Sequence, residues 1–346
     1  MALRGVCADA STPPGRPLPD GMTEAKVREV HPGVFLVHLP LPMRPTIVNV
    51  YLLRSGDEWA LIDTGVNTEE SIAALQAALP QVGCTPERIR KVLCTHHHPD
   101  HFGTSKTYKQ LTGAELYLHR REYESSLHFK PGSRSEVAIR FFLQNGIPLH
   151  RFVHVPSPGE FWDRLYMPEV PDHFIDDGDR IALGAWEIEV ITTPGHTPGH
   201  CVFYLRDQQV MIVGDHLLPK ITPHVGLYPG GPPNPLSDFL DSQRKLQQFD
   251  VQLVLPAHGG TFSDHRHRAN QIIQHHEYRL REMLDMLRRG PRTAYDVAAQ
   301  AFDFNGDSPI TVQFPATFET LAHLEFLRLQ GSVGREERDH CFLYSV

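Results

Sequence analysis

The feature that most constrains this 346-residue chain is one short run, Cys94-Thr-His-His-His-Pro-Asp-His-Phe-Gly103. It follows a short apolar stretch, Arg90–Thr95, that reads as a strand, and it precedes Thr104–Leu111, which has helical spacing. His96 and His98 are two residues apart, so in an extended turn both rings can face one point, as a tetrahedral zinc needs. Asp100 and His101 then point to a second locus a few ångströms away. One histidine alone would carry little weight, but the H-x-H-x-D-H run is specific.

Three further segments bring polar groups to the ends of predicted strands. Trp186–Thr192 leads into Pro194-Gly-His196-Thr-Pro-Gly-His200, Gln209–Val213 into Gly214-Asp215-His216, and Leu253–Leu255 into Pro256-Ala-His258-Gly-Gly260. Turns shaped by Gly and Pro at strand ends are where a layered α/β fold presents functional groups. A carboxylate between two cations, as Asp215 would be, can ligate both.

Together with Leu61-Ile-Asp63-Thr-Gly65, these segments resemble the five motifs of the metallo-β-lactamase superfamily, in order, over about Val27 to Gly260. The resemblance implies an αβ/βα sandwich with metals at one edge. By motif, His96, His98 and His196 correspond to the ligands of a first metal, and Asp100, His101 and His258 to those of a second. Asp215 corresponds to the bridge and Asp63 to a buried carboxylate that steadies the ligand loops. The implied cofactors are two divalent ions, zinc foremost, with iron and manganese also suited to N/O ligands. Two such ions about 3.5–4 Å apart share a water and lower its pKa, which supplies hydroxide for attack on a carbonyl or phosphoryl centre. In this scheme Asp100 is the catalytic carboxylate that orients the nucleophile. His200 and Asp63 are expected to support the ligands, since a coordinating imidazole usually donates its other N–H to an acceptor behind it.

The T-H-H-H-x-D-H and G-H-T-P-G-H forms are most similar to glyoxalase II-type thioesterases and their lactonase relatives. The helical, basic glutathione-binding part of glyoxalase II has no counterpart here. Instead Arg268–Arg289 reads as one long helix with Ile273, His276, Leu280, Met283, Leu284 and Leu287 on one face, ended by Gly290-Pro291. Thr293–Phe302 and Thr317–Leu329 read as two more helices before an extended end at Cys341–Val346. That order, with Glu319-Thr-Leu-Ala-His323-Leu, resembles the winged-helix appendage of the β-lactamase-like 2 branch, which includes an endoribonuclease and polyketide thioesterases. The expected organisation is therefore a flexible extension over 1–24, a metallo-β-lactamase domain over 25–262 and a winged-helix-like domain over 263–346.

Charge separates the two substrate classes this leaves open. From Asp264 to Val346 there are 10 Arg, no Lys and 12 Asp or Glu, a net of −2, and the whole chain stands at −8. A nucleic-acid-binding wing normally shows a basic face. A small acyl substrate (thioester, ester or lactone) is therefore the first reading, with the appendage as a cap or a dimerising surface. An endoribonuclease or other phosphodiesterase is the alternative, and a winged helix that binds a protein is a third.

Five scattered cysteines, odd in number and without C-x-x-C spacing, suit reduced thiols in a cytoplasm. Apolar runs fall far short of the roughly 20 residues a bilayer needs. Met1–Met22 lacks a continuous apolar core and is read as an extension rather than a secretory signal. Arg120–Asp177 reads as a long stretch without strand character that holds one helical piece, Ser135–Asn145, and a Pro-rich connection. Such a stretch is usually a lid or a binding element. His200, Tyr123, Phe129, Phe141-Phe142 and Tyr228, the last in the Pro/Gly-rich segment after Leu217, are the expected pocket wall.

Overall fold

The computed structural model describes residues 27–128, 136–148, 150 and 165–346. Two mixed sheets lie face to face. The first has seven strands in chain order: β1 (Val27–His31), β2 (Val34–Pro40), β3 (Ile47–Ser55), β4 (Glu58–Ile62), β5 (Ile89–Leu93), β6 (Glu115–His119) and β7 (His173–Ile175). Its first four strands form an antiparallel meander, and β4 to β7 run parallel. The second sheet runs in the order β12 (Leu253–Pro256), β11 (Val210–Gly214), β10 (Cys201–Leu205), β9 (Trp186–Thr192) and β8 (Arg180–Leu183). Here β11 and β12 are the parallel pair.

Three apolar clusters make the layers. Leu36, Tyr51, Ile62 and Leu93 from the first sheet meet Ile188, Val190, Phe203 and Ile212 from the second. Both sheets are covered on their outer faces, so strands such as β10 and β11 are buried along their whole length and carry continuous apolar runs rather than alternation. The first sheet is covered by α1 (Glu69–Ala78), through Leu75, and by α3 (Ser105–Thr112), through Tyr108. The second is covered by α6 (Pro235–Leu246), α7 (His265–Leu287), α8 (Ala294–Ala301) and α9 (Ile310–Leu329). Leu236, Phe239, Met283, Leu321 and Tyr344 all belong to one core with Val202, Met211 and Val213 of the sheet. A ribbon of β13 (Gly334–Arg338) and β14 (Cys341–Ser345) follows α9. Among the described residues the remaining α-helices are α2 (Pro99–Phe102), α4 (Arg120–His128) and α5 (Glu136–Gln144).

The expected layered α/β sandwich is thus the fold observed, with differences in its elements. The stretch after Arg120 is not without strands: β7 adds to the parallel edge through Tyr117↔His173 and His119↔Ile175. It is only three residues long, too short for a period to show, and its place is set by stacking of His173 on Tyr117 at 4.5 Å between centroids. The same stretch contains α4, whose Arg-Arg-Glu start carries no apolar stripe. On the far side of the Pro/Gly-rich segment, α6 is masked in sequence by its Pro235 start and polar residues, though Leu236, Phe239, Leu240 and Leu246 are buried. α9 begins seven residues before the expected Thr317, because Pro315 lies near its start and marks no boundary. Along α7 the most buried positions include Ile272 and Met286, and Ile273 and Leu284 are only partly buried.

Candidate metal centre

Four strand ends deliver the site. Beyond β5 the chain stays extended to His98, then turns into α2 with Pro99 at its first position, where a missing N–H costs nothing. The turn is fastened to the end of β4 by Asp63 N–H donating to the Leu93 carbonyl at 2.9 Å and Thr64 N–H to that of His101 at 2.7 Å. His196 follows β9, Asp215 follows β11 and His258 follows β12. Gly214 has φ +49°, and a Cβ there would lie 2.6 Å from His200 Nε2 and 2.9 Å from Thr95, so only glycine lets these loops approach so closely.

The ligand atoms converge in three overlapping groups: His96, His98 and His196; His96, His101 and Asp215; and Asp100, His101 and His258. Within each group they lie within 4.8 Å of one another. His98 Nδ1 is 3.0 Å from His96 Nε2 and 3.1 Å from His196 Nε2. Asp100 Oδ2 is 3.3 Å from His258 Nε2 and 3.5 Å from His101 Nε2, and Asp215 reaches His258 at 3.4 Å, His101 at 3.6 Å and His196 at 3.8 Å. Asp215 therefore stands between the two histidine groups.

The other ring nitrogens are committed. His196 Nδ1 donates to the His224 carbonyl at 2.7 Å, and His258 Nδ1 to the Ile47 carbonyl at 3.1 Å. His101 Nδ1 donates to Asp63 Oδ2 at 2.9 Å, and His96 Nδ1 meets Thr95 Oγ1 at 3.0 Å. A carbonyl or carboxylate only accepts, so in His101, His196 and His258 the hydrogen sits on Nδ1 and Nε2 is left for a cation. Two buried atoms, His101 Nε2 and Asp215 Oδ1, have no hydrogen-bond partner among the described residues. Both belong to the convergent groups, and an N/O donor set of this kind is what a divalent metal takes.

Electrostatics agree. Burial drives His96 and His98 well towards the neutral ring, reinforced by neighbouring imidazoles, and lowers His196 as well. Burial also opposes charge on Asp100 and Asp215, but His101 and His258 outweigh it and hold both carboxyls well below their usual range. His258 in turn, against the effect of its burial, is pushed up to about 10 by Asp215 and Asp100. Ionised carboxylates at the heart of a buried site favour a positive charge there.

Asp63 lies directly behind His101. Its backbone is left-handed at φ 62°, it is buried, and besides His101 its carboxylate accepts from Thr95 N–H at 2.7 Å and from the Thr95 hydroxyl. The His200 ring lies 5.1 Å from that of His96, and both its nitrogens are used: Nδ1 pairs with Thr193 Oγ1 at 2.8 Å and Nε2 accepts from Asp215 N–H at 3.2 Å. Tyr123 packs on the first core and against Phe174, 5.8 Å between centroids. Phe141 and Phe142 join Phe318 in a separate aromatic cluster. The Tyr228 hydroxyl is 2.9 Å from His224 Nε2, on the residue whose carbonyl accepts from His196. Phe129 lies outside the described residues.

Sequence reasoning missed Glu122 on α4. Fully buried, it accepts from the backbone N–H and ring of His97 and from the Gly199 N–H, and so ties the His96–His98 turn to the His196–His200 turn. In a run of charged residues nothing marked it as internal.

A model described as the metallo-beta-lactamase superfamily matches residues 43–258. A probable metallo-hydrolase of Bacillus subtilis, YqjP, is 27% identical over 312 residues, 87% of this chain and 93% of that one. An atrochrysone carboxyl ACP thioesterase of Aspergillus fumigatus is 25% identical over 259 residues, 73% of this chain and 64% of that one. A solved metallo-beta-lactamase family protein from Thermus thermophilus superposes with a TM-score of 0.80 at 34% identity, covering 92% of this chain and 99% of that one.

Proposed function

Since this chain belongs to the metallo-beta-lactamase superfamily, whose hydrolases use divalent metals, we propose that it holds two divalent cations and hydrolyses a small acyl substrate, a thioester, ester or lactone. The observation that carries this is the convergence of His96, His98, Asp100, His101, His196, Asp215 and His258, with His101 Nε2 and Asp215 Oδ1 buried and without a hydrogen-bond partner among the described residues. His96, His98 and His196 would hold one cation, Asp100, His101 and His258 the other, and Asp215 both; zinc suits the set. When bound, the cations supply a nucleophile at neutral pH and polarise the scissile carbonyl.

Asp100 is the catalytic carboxylate of this reading. Its side chain is 25% exposed against 13% for Asp215, so it is the more open of the two to an attacking water, and His101 and His258 keep it ionised to accept a hydrogen bond from that water. Asp63 and His200 position ligands: the first through the His101 ring, the second through the Asp215 amide. Tyr228, with Tyr123 and Phe129 as weaker suggestions, is the side chain we assign to substrate.

We take 1–24 as an extension, 25–262 as the catalytic domain and 263–346 as a winged-helix-like domain. An acyl substrate is preferred to nucleic acid because 264–346 carry a net charge of −2, which gives phosphates little to meet. The relative named as an ACP thioesterase supports the same choice. Described cysteines are all free, which suits a reducing compartment such as the cytoplasm. No described helix is long and apolar enough to cross a membrane.

The test is to offer metal-loaded protein thioesters, lactones, β-lactams and single-stranded RNA, with Asp100→Asn as the blank. We expect thioester or lactone hydrolysis, with kcat about 10²-fold lower or more in the blank, as loss of a positioned general base implies. Metal-dependent RNA cleavage that disappears in the blank, with acyl substrates untouched, would overturn the assignment.

A further inference from the structure

The residues after His258 lie outside the ligand motifs, yet they reach the site. The segment from Asp215 to Tyr228 carries Asp215 at one end and, at His224, the carbonyl that accepts from His196 Nδ1. This segment has little regular structure of its own and is held by the C-terminal helices. Arg268 on α7 donates to the carbonyls of Leu218 at 2.6 Å and Ile221 at 2.8 Å. On α9, the Phe318 carbonyl accepts from Leu227 N–H at 3.0 Å, and the Phe318 ring lies 4.8 Å from that of Tyr228.

One link is different in kind. Glu319 Oε2 lies 3.3 Å from His224 Nδ1, and His224 Nε2 accepts from the Tyr228 hydroxyl at 2.9 Å. A carboxylate can only accept, so it keeps the hydrogen of His224 on Nδ1, and the three side chains form one directed chain: Tyr228 O–H to His224, His224 N–H to Glu319. Glu319 is mostly buried, with 15% of its side chain exposed. Although burial works against its charge, the His224 hydrogen bond and the nearby imidazoles hold it down to about 2. A buried carboxylate is retained at a cost unless its partners are fixed, and its partner here belongs to the residue whose carbonyl orients a ligand.

We infer that Glu319, on the C-terminal helix α9, is a positioning residue for His196, acting through His224, so that the C-terminal helices shape one side of the metal site. This rests on the two-cation reading above. It gives the appendage a role that needs neither nucleic acid nor a partner. Fixing His224 fixes its carbonyl, which fixes the tautomer and aim of His196. Linkage makes the effect mutual: if α9 favours the metal-binding geometry, bound metal stabilises the attachment of α9.

The full chain is titrated with Zn(II) alone against a competing chelator, and the wild type is compared with Glu319→Ala and Glu319→Gln. Glutamine keeps an oxygen that accepts from His224 Nδ1, whereas alanine does not. Partners behind a ligating imidazole typically contribute 10- to 100-fold in affinity. We expect about a 10-fold loss in Glu319→Ala at one of the two sites, with Glu319→Gln within about threefold of wild type by the same comparison. Hydrogen exchange on the unmutated chain gives a second readout that does not depend on a variant folding. Zn(II) should slow exchange of the Leu227 amide and of amides on α9, but not of the β13–β14 ribbon. A wild type that binds no zinc refutes the two-cation reading and the inference with it. A wild type that binds two ions, with Glu319→Ala binding as tightly or α9 exchange indifferent to zinc, refutes the inference alone.

Discussion

Replacing Asp63 by Asn isolates charge from shape. The backbone at this position is left-handed, φ 62°, a conformation that Asn tolerates nearly as well as Asp, so the turn should survive. The Asn oxygen can still accept from Thr95 N–H, the 2.7 Å bond that holds the start of the histidine run. What changes is the side facing His101. Asp63 Oδ2 now accepts from His101 Nδ1 at 2.9 Å, leaving Nε2 aimed at Asp100 and Asp215. An amide nitrogen there is a donor, so His101 must either lose the bond or accept at Nδ1 and carry its hydrogen on Nε2, where a cation would bind. A hydrogen bond to a charged group contributes about 1.5–3 kcal/mol, against about 1 for a neutral one. The difference, roughly 0.5–2 kcal/mol, brackets about a 10-fold loss of metal affinity, at the lower end of the range for such partners. The assay is Zn(II) competition with a chelator and elemental analysis after dialysis, with circular dichroism to confirm the fold. Asp63→Asn binding both ions within about twofold of wild type, well short of the 10-fold loss such a partner implies, would refute the view that this carboxylate sets the His101 tautomer.

Two other expectations concern buried groups away from the ligand atoms. His323 is buried beside His276 (3.0 Å between ring nitrogens), and burial lowers it from 6.5 to about 4, with Glu319 opposing. The folded state thus binds fewer protons than the unfolded one between pH 6.5 and about 4. The stability at stake, about 3 kcal/mol for this one group, is full above pH 6.5 and falls as pH drops towards 4. A His323→Gln variant whose urea midpoint shows the same slope over that window as wild type would contradict this. Glu122→Gln, which removes the charge tying the His97 and Gly199 amides together, should cost roughly 1.5–3 kcal/mol in chemical denaturation. It should also release zinc faster, and unchanged midpoint and release rate would show that the clamp is idle.

The proposed ligands are legible in the sequence because metal chemistry draws on few residue types and the fold collects them at strand ends. His96, His98, Asp100 and His101 lie within six residues, and His196, Asp215 and His258 each follow an apolar strand that announces itself. The layered α/β class followed from the same strands, since those buried on both faces are continuous apolar runs. Residues that aim the ligands obey no such local rule. Glu122 meets Gly199 across 77 positions, and Glu319 meets His224 across 95. Each sits in a helix whose charged residues look like any solvated face, and only tertiary packing decides that one carboxylate turns inward. Asp63 could be given a role because its loop is part of a motif; Glu122 went unmarked and Glu319, though part of the appendage pattern, had no assigned role, because their partners are chosen by the packing of α4 and α9. The same logic explains why β7 and the start of α9 escape a sequence reading: three residues carry no period, and Pro315 is tolerated in a helix that the shared core holds in place. A cation's donors are thus encoded locally, whereas their orientation is encoded by the whole chain, including its last helices. A substitution far from the histidine motifs in sequence can therefore weaken the site without touching a ligand.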